Sequence, residues 1–118
     1  MDLATKQVGG EHYKSKYPPI KLIAKLQLNF FQGNILKYPS RFTKKNGEED
    51  LRKAISYCQL GAELSPVNVA QFSQIETRKY VKENNLPDDF VEFVEQICNQ
   101  NWIFCSSYIV RLSRKTYG

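Results

Sequence analysis

At 118 residues and 13.7 kDa, with 42% hydrophobic and 25% charged residues, the chain has the length of one domain and the composition of a globular protein. No apolar run approaches the ~20 residues of a membrane span, and the N-terminal stretch lacks the apolar centre of a signal peptide. Cys58, Cys98 and Cys105 are odd in number and have no CxxC spacing, so buried thiols in a reducing compartment are expected. With a single His and no paired cysteines, neither a structural zinc site nor another metal ligand set is expected. The net charge of +5 lies entirely in residues 1–65, with 11 Lys/Arg against 6 Asp/Glu, whereas residues 66–118 hold 6 of each. Excess charge confined to one half suits an anionic partner there, although a solvated basic face has the same composition.

Residues 1–17 are polar and Gly-containing and read as a flexible arm able to order over a site. Pro18 and Pro19 introduce a helix whose apolar face is expected at Ile20, Ile23, Ala24 and Leu28. A second helix is predicted from Asn29 to Lys45, with Phe31, Ile35, Tyr38 and Phe42 inward. Pro39 within it removes one backbone hydrogen bond and should kink or interrupt the helix. Asn46-Gly47 is a turn signal, and Glu48, Glu49 and Asp50 open a third helix to Leu64, with Leu51, Ile55, Cys58 and Ala62 inward.

The remainder, 66–118, reads as a helical companion in the same domain as the 18–65 core. Ser73-Gln-Ile-Glu76 is a capping box for a helix ending near Asn84-Asn85. Pro87, Asp88 and Asp89 open another, with Phe90, Val94 and Ile97 inward. From Asn101 onward Trp102, Cys105, Ile109 and Leu112 fit a helix, although the β-branched and aromatic content also suits a strand. An all-α fold is expected, built on an antiparallel helix pair with a C-terminal helical tail.

On the second helix Asn34, Lys37, Arg41 and Lys44 recur at helical spacing, and on the third Asp50, Lys53 and Tyr57 do the same. Two antiparallel neighbours would let these faces border one groove. Arg offers a planar fork to phosphate oxygens and Lys a compact charge. Asn29 and Asn34 can fix a ribose or base, and Tyr38 or Tyr57 can stack on one. The same spacing also describes a solvated face, with Asp50 and Lys53 as an exposed ion pair worth only ~0.3–0.5 kcal/mol. His12, in Gly10-Glu11-His12-Tyr13-Lys14, is the one side chain that titrates near neutrality unaided.

Several classes are excluded. No Gly precedes a Lys as a Walker A loop requires, and neither GxGxxG nor GxSxG occurs. A pI near 9.1 with interleaved Tyr, Phe and Lys is compatible with nucleic acid. Lys and Arg are spread thinly, however, and no recognition motif is present, so nucleic acid is not the expected partner.

GGEHYK, then PPIKLI, LNFFQGNILKY-x-SR and KKNGEEDLRKAISY, resemble a family of small phage proteins described as nucleotide kinases. The resemblance covers about residues 9–64. It implies an all-helical fold, self-association and a nucleotide site at His12, Tyr13, Lys14, Asn29, Asn34, Lys37, Tyr38, Arg41, Lys44, Asp50 and Lys53. Pro39 departs from the Ile or Val expected there. The expectation is therefore a homo-oligomeric nucleotide-binding protein in the cytoplasm of an infected bacterial host. It would sequester a nucleotide-derived signal, such as a cyclic dinucleotide or cyclic ADP-ribose, without chemistry and without a required cofactor. The alternative is a nucleoside monophosphate kinase using ATP and Mg²⁺ with His12 and Asp50 as catalytic groups. The third reading is an inhibitor that binds a host protein.

Overall fold

In a computed structural model, residues 15–68 and 70–118 are described. The expected arm, including His12, Tyr13 and Lys14, thus falls almost wholly outside the described residues. Among the described residues there are six α-helices and no strand. They are α1 (Pro19–Leu26), α2 (Phe30–Lys37), α3 (Gly47–Leu64), α4 (Gln74–Glu83), α5 (Phe90–Cys98) and α6 (Trp102–Tyr117). The expected all-α class is what the chain adopts, and the segment from Asn101 onward is helix.

Local chemistry explains the helix ends. Pro19 sits in the first turn of α1, and Gln27 ends that helix in the left-handed region at φ 57°. Asn29 and Gln32 form a reciprocal capping box at the start of α2, at 3.0 and 2.9 Å. The second helix does not continue to Lys45. Pro39 cannot donate to the carbonyl four residues back, so α2 stops at Lys37 and the chain tightens into a 3-10 turn, Pro39–Arg41. Further turn bonds follow, Lys44 N–H to the Arg41 carbonyl at 3.0 Å and Gly47 N–H to the Lys44 carbonyl at 2.9 Å. The Ser73 hydroxyl caps α4 by accepting from Glu76 N–H at 3.2 Å. Only half of the expected box forms, because the Glu76 carboxylate accepts instead from the Tyr17 hydroxyl at 2.7 Å. That bond holds the Glu76 carboxyl below its ordinary range.

One apolar cluster draws on both segments, from Tyr17, Leu22 and Leu26 through Leu51 and Cys58 to Phe90, Phe93, Ile97, Cys105 and Ile109. The stripe of α1 differs in part from the expected one, since Ile23 and the following Leu28 pack partly buried against the core as expected. Leu22 and Leu26 are buried, whereas Ala24 is exposed and Ile20 is 53% exposed. Both stripes are apolar, and the short helix turns its i, i+4 leucine pair inward. On α3 the buried row is Leu51, Ala54, Cys58 and Gly61, with Ala62 outside. The reason is α6, which lies so close that a Cβ on Gly61 would stand 2.6 Å from the Trp102 ring. Gln32, wholly buried, donates to the Ile97 carbonyl at 3.0 Å and accepts from Asn68 at 2.6 Å, tying α2 to α5 and to the loop before α4.

Candidate functional site

Contacts between the second and third helical segments run in opposite chain order. Arg41 meets Asp50, Tyr38 meets Tyr57, and Asn29 meets Ser65. The antiparallel pair therefore exists, although nine residues of turn, 38–46, join its members.

The pair brings part of the expected set together around Tyr38. Its half-buried ring lies 5.9 Å from that of Tyr57, at 12° between planes. Lys37 Nζ stands 5.3 Å from the Tyr38 centroid, Lys53 Nζ 5.4 Å, and Arg41 Cζ 5.6 Å. Each distance falls within cation–π range, and the ring's negative face helps to hold three mutually repelling charges near one another. Phe30, 66% exposed, adds an edge contact to Tyr57 at 5.7 Å, extending the aromatic row toward solvent.

Asp50 is not the exposed helical partner that spacing suggested. Its side chain is 2% exposed and accepts twice from Arg41, at Nε (2.8 Å) and Nη2 (3.2 Å), while Lys53 Nζ approaches to 4.0 Å. A two-point guanidinium–carboxylate pair fixes the 3-10 turn onto the first turn of α3. Beside it lies a cleft of about 280 Å³ lined by Arg41, Lys44, Lys45, Asn46 and Asp50. Arg41 thus belongs both to the cleft and to the ring of cations around Tyr38. Taken together the site holds Lys37, Arg41, Lys44, Lys45 and Lys53 against Asp50, five positive charges minus one, or +4. The sum covers the residues around the ring and in the cleft, and leaves out Glu48, which is paired with Arg52 at 2.6 Å, and the exposed Glu49 next to it.

The two expected asparagines have their amides engaged within the protein. Asn29 is committed to the cap, with its amide donating to Ser65 Oγ at 2.9 Å. It lies eight residues before Lys37, about 12 Å along the helix axis. Asn34 turns its amide back onto the Phe30 carbonyl at 2.8 Å. Sequence reasoning missed Lys45, Asn46 and Phe30. The run Lys44-Lys45-Asn46-Gly47 after Pro39 carried the signal for the first two, since consecutive turns bring neighbouring residues to one cleft.

The cysteines offer no nucleophile. Burial pushes the Cys58 thiol up to about 11 and the Cys98 thiol up to about 12, and it raises Cys105 further. Near neutral pH all three stay protonated, and the thiolate is the reactive form. Among the described residues no three His, Cys, Asp or Glu side chains gather as a metal site.

Residues 8–59 match a family described as a protein of unknown function, DUF3310, and the chain is similar to that family over this segment. The matched span contains all twelve expected site residues and ends within α3, before α4, α5 and α6. No curated protein and no solved structure matches the chain.

Proposed function

We propose that this protein binds an anionic nucleotide-type ligand at the Tyr38 face and holds it without transforming it. The observation that carries the reading is the convergence of Lys37, Arg41 and Lys53 on one tyrosine ring, with Arg41 leading into a cleft flanked by Lys44 and Lys45. Like charges gathered at one place repel, and an anion is the partner that relieves them. Phosphate oxygens supply that charge and accept from Lys and Arg. Tyr38 and Tyr57 stack on each other, which leaves exposed Phe30 as the aromatic available to a base.

Holding is preferred to the kinase alternative because Asp50, one of that reading's two catalytic groups, is buried and engaged twice by Arg41, while the other, His12, lies outside the described residues. As a sequestering protein it would act on nucleotide-derived defence signals, cyclic dinucleotides or cyclic ADP-ribose among them, in the cytoplasm of a phage-infected cell and as a homo-oligomer. The resemblance to small phage proteins motivates that setting.

The test is recovery. Purified protein is incubated with nucleoside mono- and diphosphates, cyclic dinucleotides and cyclic ADP-ribose isomers, in the presence of ATP and Mg²⁺. It is then filtered off and heated, and both fractions are analysed by mass spectrometry. A compound that leaves the filtrate and returns intact on heating supports the reading. A new phosphorylated product would replace it with the kinase. If nothing is retained while a host protein is captured in a salt-sensitive way, the inhibitor takes its place.

A further inference from the structure

Two cationic positions, the Tyr38 ring and the adjoining cleft, share one residue, Arg41. At the first, Lys37 and Lys53 flank the ring at 5.3 and 5.4 Å. At the second, Lys44, Lys45 and Asn46 line about 280 Å³. The Asp50 carboxylate fixes Arg41 between them through bonds of 2.8 and 3.2 Å, so the guanidinium is oriented before any ligand arrives. One phosphate monoester brings about −1.5 to −2 charges. Seated at either position it leaves roughly half of the local +4 uncompensated. Arg41 is common to both positions, so a ligand with a second phosphate joined to the first carries its added charge toward the cations that one phosphate leaves uncompensated.

We infer that the site selects ligands with two linked phosphates, a nucleoside diphosphate or another pyrophosphate-bridged nucleotide, over a single phosphate. This rests on the anion-binding reading above and names its ligand class. Lys44 and Lys45 are the residues that set the selectivity, because they serve only the second position. A cyclic dinucleotide, whose phosphates are separated by riboses, would be the poorer fit of the two signal classes.

The experiment is a calorimetric titration of the full chain with inorganic phosphate, pyrophosphate, tripolyphosphate, AMP and ADP at one ionic strength. Pyrophosphate should bind about tenfold or more tightly than phosphate, and ADP than AMP, with tripolyphosphate gaining less than about threefold over pyrophosphate. In the Lys44→Gln/Lys45→Gln variant the ADP preference should disappear, with ADP and AMP binding within about threefold of each other. Both positions are exposed, so folding is not at stake. Equal binding of AMP and ADP would overturn the inference and leave nucleotide binding standing. Affinity that climbs evenly through tripolyphosphate would overturn it in favour of plain charge attraction. A preference that survives in the double variant would also overturn it, because the cleft would then not be the second position. If no nucleotide binds at all, the anion-binding reading fails as well.

Discussion

The Tyr117 hydroxyl, near the end of α6, donates a hydrogen bond to the Phe42 carbonyl 75 residues earlier. Phe42 opens the run of turns that carries Lys44, Lys45 and Asn46, so the last helix braces the cationic cleft. Gly47 lies under the same contact. A Cβ there would run into both the Phe42 carbonyl and the Tyr117 hydroxyl.

Two substitutions test this brace. Tyr117→Phe removes the donor and should cost about 1 kcal/mol, typical of one hydrogen bond, measured by urea unfolding. Gly47→Ala should cost more, about 1–3 kcal/mol, because the turn itself has to shift. Equal stability of Gly47→Ala and the parent chain would show that residues 42–47 move without penalty.

The Arg41–Asp50 pair should behave as a buried ion pair. Arg41→Ala leaves a carboxylate that is 2% exposed without its main partner, and unfolding should become easier by about 3–5 kcal/mol. Replacing both, Arg41→Met with Asp50→Leu, should restore most of that stability and still abolish nucleotide binding. A loss below about 1 kcal/mol in Arg41→Ala would mean that water reaches the carboxylate readily.

Packing of α3 on α6 depends on Gly61. Gly61→Ala would set a methyl 2.6 Å from the Trp102 ring and should destabilise by about 1–3 kcal/mol, with a shift in tryptophan emission. Trp102 is the one tryptophan of the chain, so the optical signal is unambiguous. An unshifted spectrum with full stability would mean that the helices slide apart at no cost.

Thiol ionisation sets an alkaline limit. Cys58 and Cys98 ionise near 9 when unperturbed and near 11 and 12 in the fold, so the folded chain holds more protons between these values. The stability contributed by these two thiols is therefore fully present below about pH 9 and is lost as pH rises through that window. A thiol reagent at about pH 8 should label none of the three cysteines in native protein and all three in urea. Rapid labelling of Cys58 in the native state would contradict its burial.

Much of the fold was legible because helix ends carry their own chemistry. Pro19, Asn29 and Ser73 mark starts that the structure keeps, and Phe90, Val94 and Ile97 face inward as their spacing requires. Periodicity misled where two apolar stripes competed, as on α1, and where small residues permit close approach, as at Ala54 and Gly61. It misled again across Pro39. Counting helical steps from Asn34 to Lys44 assumed a continuous helix, whereas the turns place Lys44 beside Lys45 and Asn46. Nor does spacing reveal burial. Asp50 and Lys53 looked like a surface pair, and only the packing of the 3-10 turn on α3 shows Asp50 enclosed by Arg41. Likewise two tyrosines suited to stacking on a ligand turn out to stack on each other.

The most direct test of the account is an amide chemical-shift titration of the labelled chain with ADP. Shifts should concentrate at residues 37–46 and at Asp50, Lys53 and Tyr57, with Phe30 moving if it meets the base. Shifts confined to another surface, such as the cleft between α4 and α5 around Arg78, Lys82 and Asn85, or no shifts at millimolar ADP, would contradict the assignment of the Tyr38 face as the binding site.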